Sequence, residues 1–451
     1  MPLMGAANCP ALLIAAPASG QGKTSVTAGL ARLAVRRGWR VQVFKCGPDF
    51  LDPHWHTLAS GKPVHNLDLW LNGESDVRAR LHAAAGANDL VLIEGVMGLF
   101  DGQPSSADLA QRFGIPVLAV VDAGAMAETF GAVVHGLRTY RAGLPWAGVL
   151  ANRVASDGHL AMLRSSVSGA RDGDADGASV GWLGGLRRSA TLALPERHLG
   201  LTVASELPDA HTRLDALADA LAETPLGRMT LVDLQRWSIR FPHVPRPAVT
   251  AALAGSRVAI ARDAAHCFIY PSNVDTLKAL GAEVVFVSPL ADEPLPPCDA
   301  LWLPGGYPEL HAQALGGVAR FRASLAAHIE AGRPVWAECG GMMPLFEGLT
   351  LADGTRCPMW GVLPGEVRMQ ARLAGLGPQR WDTTRGELRG HTFHYSLTES
   401  PLSPTTHTCS PNAPTRQEAV YEQGPVRASY FHAWFASCPD ATASLFTGEA
   451  L

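Results

Sequence analysis

The stretch that most constrains this chain is 11–24, Ala-Leu-Leu-Ile-Ala-Ala-Pro-Ala-Ser-Gly-Gln-Gly-Lys-Thr. A short, continuously apolar run breaks into a loop of small residues that ends in Gly22-Lys23-Thr24, and an amphipathic pattern follows over Ser25 to Arg37. That order predicts a buried strand, a phosphate-binding loop and a helix. Small residues let several backbone N–H groups turn inward on phosphates, and a helix beginning near Lys23 points its positive end at them. Ser19, Gly20, Gln21, Gly22, Lys23 and Thr24 are therefore candidate nucleotide ligands, with Lys23 neutralising phosphate charge and the Thr24 hydroxyl holding Mg2+. Pro17 stands where the usual pattern has its first glycine, so the motif is a variant and its context carries the assignment.

At 451 residues the chain is too long for one ordinary core. Periodicity is lost between about Glu223 and Thr250, where Pro242, Pro245 and Pro247 accumulate. The expected division is a first domain at 1–225, a linker at 226–252 and a second domain at 253–451. Apolar residues at 47% and charged ones at 17% supply material for buried parallel sheet, and a net charge of -4 without a basic run argues against nucleic-acid binding. The first apolar run is too short for a signal peptide and no other run would span a bilayer, so a cytoplasmic protein with no membrane partner is expected. Eight cysteines without a Cys-x-x-Cys pair fit neither a disulfide scaffold nor a structural zinc site.

Along the first half, apolar runs end repeatedly in polar groups. Arg40 to Lys45 opens into Cys46-Gly47-Pro48-Asp49-Phe50-Leu51-Asp52-Pro53, which puts Asp49 and Asp52 beyond a strand end, where ligands sit in open α/β sheets. Two carboxylates beside a nucleotide loop suit Mg2+ or substrate, and an Asx turn is the structural alternative. His54 and His56 just beyond read as an ordinary solvated pair with no metal role. Leu90 to Ile93 ends in Glu94, a strand-end acid suited to orienting Mg2+ opposite Lys23, and Asp101 follows in an Asp-Gly turn. Asn152, after another buried run, could read the nucleotide base or cap a helix.

In the second half, Leu301 to Leu303 leads into Pro304-Gly305-Gly306, whose uncovered N–H groups suit an oxyanion hole. Pro334 to Ala337 leads into Glu338-Cys339-Gly340-Gly341. A cysteine among small residues at a strand-to-helix corner reads as a nucleophile elbow, and the helix start is expected to lower the thiol pKa. Candidate bases are His391, His394 and His432, of which His432 has the order of nucleophile first and base last.

Taken together, Ser19 to Thr24, Lys45 to Pro53, Glu94 to Gly102, Pro195 to Leu201, Ala261 to Ala265 with Phe268 and Tyr270, Pro304 to Glu309, Glu338 to Met342, His391 to Ser396 and Ala428 to His432 resemble the cobyrinic or hydrogenobyrinic acid a,c-diamide synthases. The resemblance implies an α/β chain, with a P-loop parallel-sheet amidoligase domain similar to dethiobiotin synthetase followed by a flavodoxin-like class I glutamine amidotransferase domain. It implies ATP, glutamine and a corrinoid carboxylate as substrates, in cobalamin biosynthesis. By the same resemblance Lys23 and Thr24 bind ATP, and Asp49, Asp52 and Glu94 serve Mg2+ or substrate positioning; the residues themselves add Ser19 to Gly22 and Asn152 as expected ATP ligands and Thr24 as an expected Mg2+ ligand. Asp49, Phe50, Leu51, Asp52 and Asp101 lie at the corrinoid side, Cys339 and His432 are catalytic, and Gly305, Gly306 and Gly340 form the oxyanion site. A homodimer is compatible with the sequence.

Two positions depart from the pattern. Triad-type amidotransferases place Glu two residues beyond the base, and this chain has Trp434, so either another carboxylate orients His432 or free ammonia substitutes for glutamine. His266 fills a position the family often gives to an aromatic residue. Other readings are amidation of cobyric acid-type peripheral carboxylates or of nickel sirohydrochlorin, or a partition-type ATPase switch. The switches carry an extra lysine where this chain has Ala18, and they lack a domain like that around Cys339.

Overall fold

The computed structural model describes residues 5–168, 180–197, 200–201, 207–245 and 248–451. The chain divides into two compact units, Met1–Arg246 and Pro247–Leu451.

The first unit is a parallel sheet built from β1 (Ala7–Ala15), β2 (Val41–Cys46), β3 (His65–Leu67), β4 (Leu90–Glu94), β5 (Val117–Asp122), β6 (Trp146–Val154) and β7 (Trp182–Arg187). Their order is β3-β2-β4-β1-β5-β6-β7, with each neighbouring pair parallel. β1 is central, and its apolar run has no polar alternation because both of its faces are covered. Ala11, Leu13 and Ala15 enter the core on one side, and Leu12 and Ile14 the core on the other. Helix α1 (Lys23–Arg36) leaves the end of β1, and α2 (Asp52–Ser60) follows β2.

The expected linker is largely structured. Thr230 and Asp233 form a capping box on the short helix Leu231–Leu234, and β8 (Ser238–Phe241) pairs antiparallel with the start of β1, from Ala7↔Phe241 to Pro10↔Ser238. The prolines that suggested a linker begin just past this strand, at Pro242. Of the Pro195 to Leu201 run, His198 and Leu199 lie outside the described residues.

The second unit opens with β9 (Arg257–Ala261), β10 (Glu283–Val287), β11 (Ala300–Leu303) and β12 (Val335–Glu338), in parallel order β10-β9-β11-β12. This is the flavodoxin-like order, whose ligands gather beyond the carboxyl ends of the strands. β12 then pairs parallel with β14 (Val426–Ser429), and an antiparallel extension includes β13 (Gly386–His394), against which the short β15 (His432–Ala433) lies. Among the described residues, no helix is long and apolar enough to cross a membrane.

Candidate active site

Each unit gathers its candidate residues at the carboxyl ends of its parallel strands. In the first, Gly20 and Gly22 of the loop between β1 and α1 have φ of 75° and 97°, the left-handed region that glycine tolerates. Gly22 is also forced by space, since a Cβ there would lie 2.2 Å from Asn152 Nδ2. That Asn152 amide donates to the Gln21 carbonyl at 2.8 Å, while the Gln21 side chain accepts from the Asp122 N–H at 2.9 Å. Asn152 lies inside β6, so it caps no helix, and its amide braces the loop from beneath. From the other side, Lys23 Nζ donates to Ala18 O at 3.1 Å and Met97 O at 2.7 Å, which folds the lysine back along the loop. Burial lowers its pKa against the pull of Glu94. Asp101 accepts from Gly98 N–H at 2.9 Å, closing a turn, and is exposed to solvent.

A charged cluster lies beside this loop. Lys45, at the end of β2, is 2% exposed, with Nζ 2.6 Å from Asp52, 3.3 Å from Glu94 and 3.7 Å from Asp49. Burial works to discharge this ammonium, but the surrounding carboxylates outweigh it and raise the Lys45 pKa. Glu94 receives the Thr24 hydroxyl at 2.7 Å and is bonded to His56 Nε2 through its other oxygen. Burial alone would push Glu94 up; Lys45 and His56 overcome it and hold the carboxyl at about 2. Asp52 moves the other way, raised by burial and by Asp49 and Glu94 beside it. Asp49 accepts from Leu51 N–H at 2.7 Å and Asp52 N–H at 3.2 Å, which is the Asx turn named as the structural alternative. Asn66, unremarked in the sequence, ties this loop by donating to Gly47 O at 2.8 Å and Asp49 O at 2.9 Å.

The solvated reading of His56 is overturned: it lies on α2 and is fully buried against Glu94. The helix period that begins at Asp52 would have turned it inward, but Gly47, Pro48 and Pro53 made the whole stretch read as loop. Of the expected metal ligands, Thr24 and Glu94 touch directly, whereas the contact of Asp49 to this cluster runs through Lys45. Their donors are all oxygen, which suits Mg2+. Among the described residues, no three or more His, Cys, Asp or Glu side chains could hold a metal by themselves.

In the second unit, Cys339 follows β12 with φ of 44°, a conformation unusual for a non-glycine residue. Its neighbours explain how the corner closes. A Cβ on Gly340 would lie 2.7 Å from Gly306 O and 2.9 Å from Gly306 N, and one on Gly306 would lie 2.1 Å from Ala265 O. The backbones of Gly306 and Gly340 are thus in direct contact beside the thiol. Asp263 fixes the adjoining loop by accepting from the Ala265 and His266 N–H groups, each at 3.0 Å, and by lying 3.0 Å from His266 Nδ1. His266 is fully buried in this role.

The expected lowering of the thiol pKa is not what the site provides. The segment Cys339–Leu345 is a 3-10 turn, and burial pushes the Cys339 thiol up, so thiolate formation depends on a base. Cys339 Sγ lies 3.7 Å from Phe393 O on β13, and His432 pairs in register with His391 two residues earlier on that strand. The rings of His391 and His432 stack at 4.9 Å and 15°. His394 is committed elsewhere, 3.2 Å from Glu418 and stacked on Tyr430 at 3.6 Å. Gly305 makes room for the imidazole, since a Cβ there would lie 2.5 Å from His432 Cε1. Burial, then His391 and His394, lower the His432 pKa. Glu309, next to the Gly-Gly turn, is raised by burial to about 7. Trp434 packs in the core against Tyr270, with ring centroids 5.0 Å apart.

One unit thus sets a glycine loop beside an ionic cluster, and the other sets the Cys339 corner against the strand that carries His391 and pairs with His432. Residues 12–200 match the CobQ/CobB/MinD/ParA nucleotide binding domain, and residues 257–439 match the CobB/CobQ-like glutamine amidotransferase domain. The hydrogenobyrinate a,c-diamide synthase of Stutzerimonas stutzeri is 53% identical, over 98% of this chain and 99% of its own. The chain belongs to the a,c-diamide synthase family. Further relatives within it are the hydrogenobyrinate a,c-diamide synthase of Pseudomonas aeruginosa, 51% identical over 98% of both chains, and the cobyrinate a,c-diamide synthase of Herminiimonas arsenicoxydans, 47% identical over 97% of both. A diamide synthase of this family therefore has its nucleotide-binding domain at the charged cluster and its amidotransferase domain around Cys339.

Proposed function

We propose that the protein amidates the a and c carboxylates of hydrogenobyrinic or cobyrinic acid in cobalamin biosynthesis, using ATP and glutamine. The observation that carries this reading is the presence, in one chain of this family, of a phosphate loop braced beside a carboxylate-rich cluster and a buried thiol at a strained corner. A carboxylate resists amine attack, so its oxygen first attacks the terminal phosphorus of ATP and ADP leaves. Ammonia then attacks the acyl carbon and phosphate departs with the C–O bond. Ser19 to Thr24 hold the phosphates, and Lys23 offsets their charge. Thr24 and Glu94 would hold Mg2+, which supplies further charge screening on the phosphates. Asp49, Phe50, Leu51, Asp52 and Asp101 serve the macrocycle side, and Lys45 and His56 keep Glu94 ionised.

In the second unit, His432 takes the Cys339 proton and the thiolate attacks the side-chain carbonyl of glutamine. N–H groups at Gly305, Gly306 and Gly340 receive the developing oxyanion. The proton returns to nitrogen as the C–N bond breaks, ammonia leaves, and water cleaves the thioester to glutamate.

The test is turnover of each purified macrocycle with ATP, Mg2+ and glutamine, read by mass. Two amides per ring, with ATP hydrolysis that depends on the macrocycle, are expected. ATP hydrolysis stimulated by DNA or lipid, with no change in macrocycle mass, contradicts the proposal.

A further inference from the structure

Position 434 gives His432 no acid, but the sheet supplies one from a different direction. Glu338 is the last residue of β12 and immediately precedes Cys339. Its Oε2 lies 3.9 Å from His432 Nδ1, while its Oε1 accepts from Trp336 Nε1 at 2.7 Å and from the Ala433 N–H at 3.3 Å. The carboxyl is thus anchored both to its own strand and to the backbone next to the imidazole. Both groups are out of water, Glu338 at 2% and His432 at 1% exposure. With His391 stacked on the ring and Gly305 close against its edge, the imidazole has little freedom to turn elsewhere.

We propose that Glu338 is the positioning residue of His432, filling from the strand before the nucleophile the part that Trp434 cannot play. The proposal rests on the glutaminase reading above. An ionised Glu338 accepts the Nδ1 proton, which leaves Nε2 bare for the proton of Cys339 and faces a carboxylate to the imidazolium that results. The 3.9 Å gap is longer than a hydrogen bond, as catalytic contacts often are before substrate arrives. Burial raises the Glu338 carboxyl to about 8, so the ionised form this role needs gains as pH rises through that value. The titratable groups that act on His432 are His391 and His394 on β13, which push it down, while Glu309 and Glu418 act with Glu338 on the Cys339 thiol.

The experiment uses the full chain and the variant Glu338→Gln, whose amide cannot stabilise an imidazolium. The glutaminase kcat is expected to fall about a hundredfold, with the glutamine KM within about threefold. The pH midpoint of Cys339 alkylation by iodoacetamide gives an opposite sign for the two possible roles. If Glu338 acts through His432, removing it raises the midpoint, because the thiolate loses its imidazolium partner. If Glu338 is merely an anion beside the thiol, removing it lowers the midpoint, and the proposal is wrong. In a His432→Ala background, Glu338→Gln is expected to cause no further fall; multiplying losses overturn the proposal as well. Should Glu338→Gln not fold, Glu338→Asp is read by the same midpoint and cycle. Failure of the underlying reading is separately visible, as glutamine use that survives Cys339→Ala.

Discussion

Glu94 and Glu338 hold the same place in the two units: each is the last residue of a parallel strand, and each is withdrawn from water at 0% and 2% exposure. Their ionisation nevertheless goes in opposite directions. Glu94, with Lys45, His56 and the Thr24 hydroxyl around it, is held down at about 2, whereas Glu338, with an indole and a backbone N–H as donors, is pushed up to about 8. Burial is the largest influence on both and acts in the same sense on both. Neighbouring charge decides the outcome. The first site is therefore a standing ionic cluster. The second is a nearly neutral pocket, where burial disfavours charge on both Glu338 and His432.

Removing the cation from the first cluster tests this contrast most severely. Lys45→Met leaves Asp49, Asp52 and Glu94 without the ammonium between them, and the first unit is expected to lose about 3 to 5 kcal/mol in chemical denaturation. A loss under about 1 kcal/mol would mean that the carboxylates are not held apart by this lysine.

A smaller effect separates the two glutamates by pH. The folded pKa of Glu94 lies below its unfolded value of about 4.3, so its contribution to stability is present above that value and is lost as pH falls toward 2. The folded pKa of Glu338 lies above it, so its contribution is full below about 4.3 and is lost as pH rises through 8. Hydrogen exchange followed peptide by peptide should show the first unit loosening in acid and the second loosening as pH rises from about 4 to 8. Glu338→Gln should flatten that second loss, which is on the order of a few kcal/mol. The same loss over that range in the variant would place its origin elsewhere.

The smallest expected effect concerns the brace under the phosphate loop. Asn152→Ala removes the bond to the Gln21 carbonyl and is expected to cost about 1 kcal/mol, seen as a several-fold rise in KM for ATP with kcat nearly unchanged. A loss confined to kcat would instead put Asn152 in the chemistry.

These contrasts also show what the sequence could reveal. The strand of residues 11–16 was legible because both of its faces are covered, which removes the polar alternation an exposed strand would show. The Cys339 corner was legible because glycine has no substitute where a Cβ would strike backbone at under 3 Å. Lys45 was not legible, because a lysine at a strand end reads as an exit to solvent until the chain turns Asp49 and Asp52 back on it and β4 brings Glu94 beside it. His56 and Glu338 were hidden for the same reason: their partners, Glu94 and His432, are distant in the chain. The structured stretch before Pro242 did leave a signal, the Thr230-x-x-Asp233 capping box, which the prolines after it outweighed.

The central claim is that one chain joins a ligase that consumes ammonia to a glutaminase that supplies it. The most direct measurement is macrocycle amidation by Cys339→Ala with ATP and Mg2+, given either glutamine or ammonium. The account predicts that glutamine-dependent product falls by about a thousandfold or more while ammonium-dependent product persists. Loss of both, or survival of both, would contradict it.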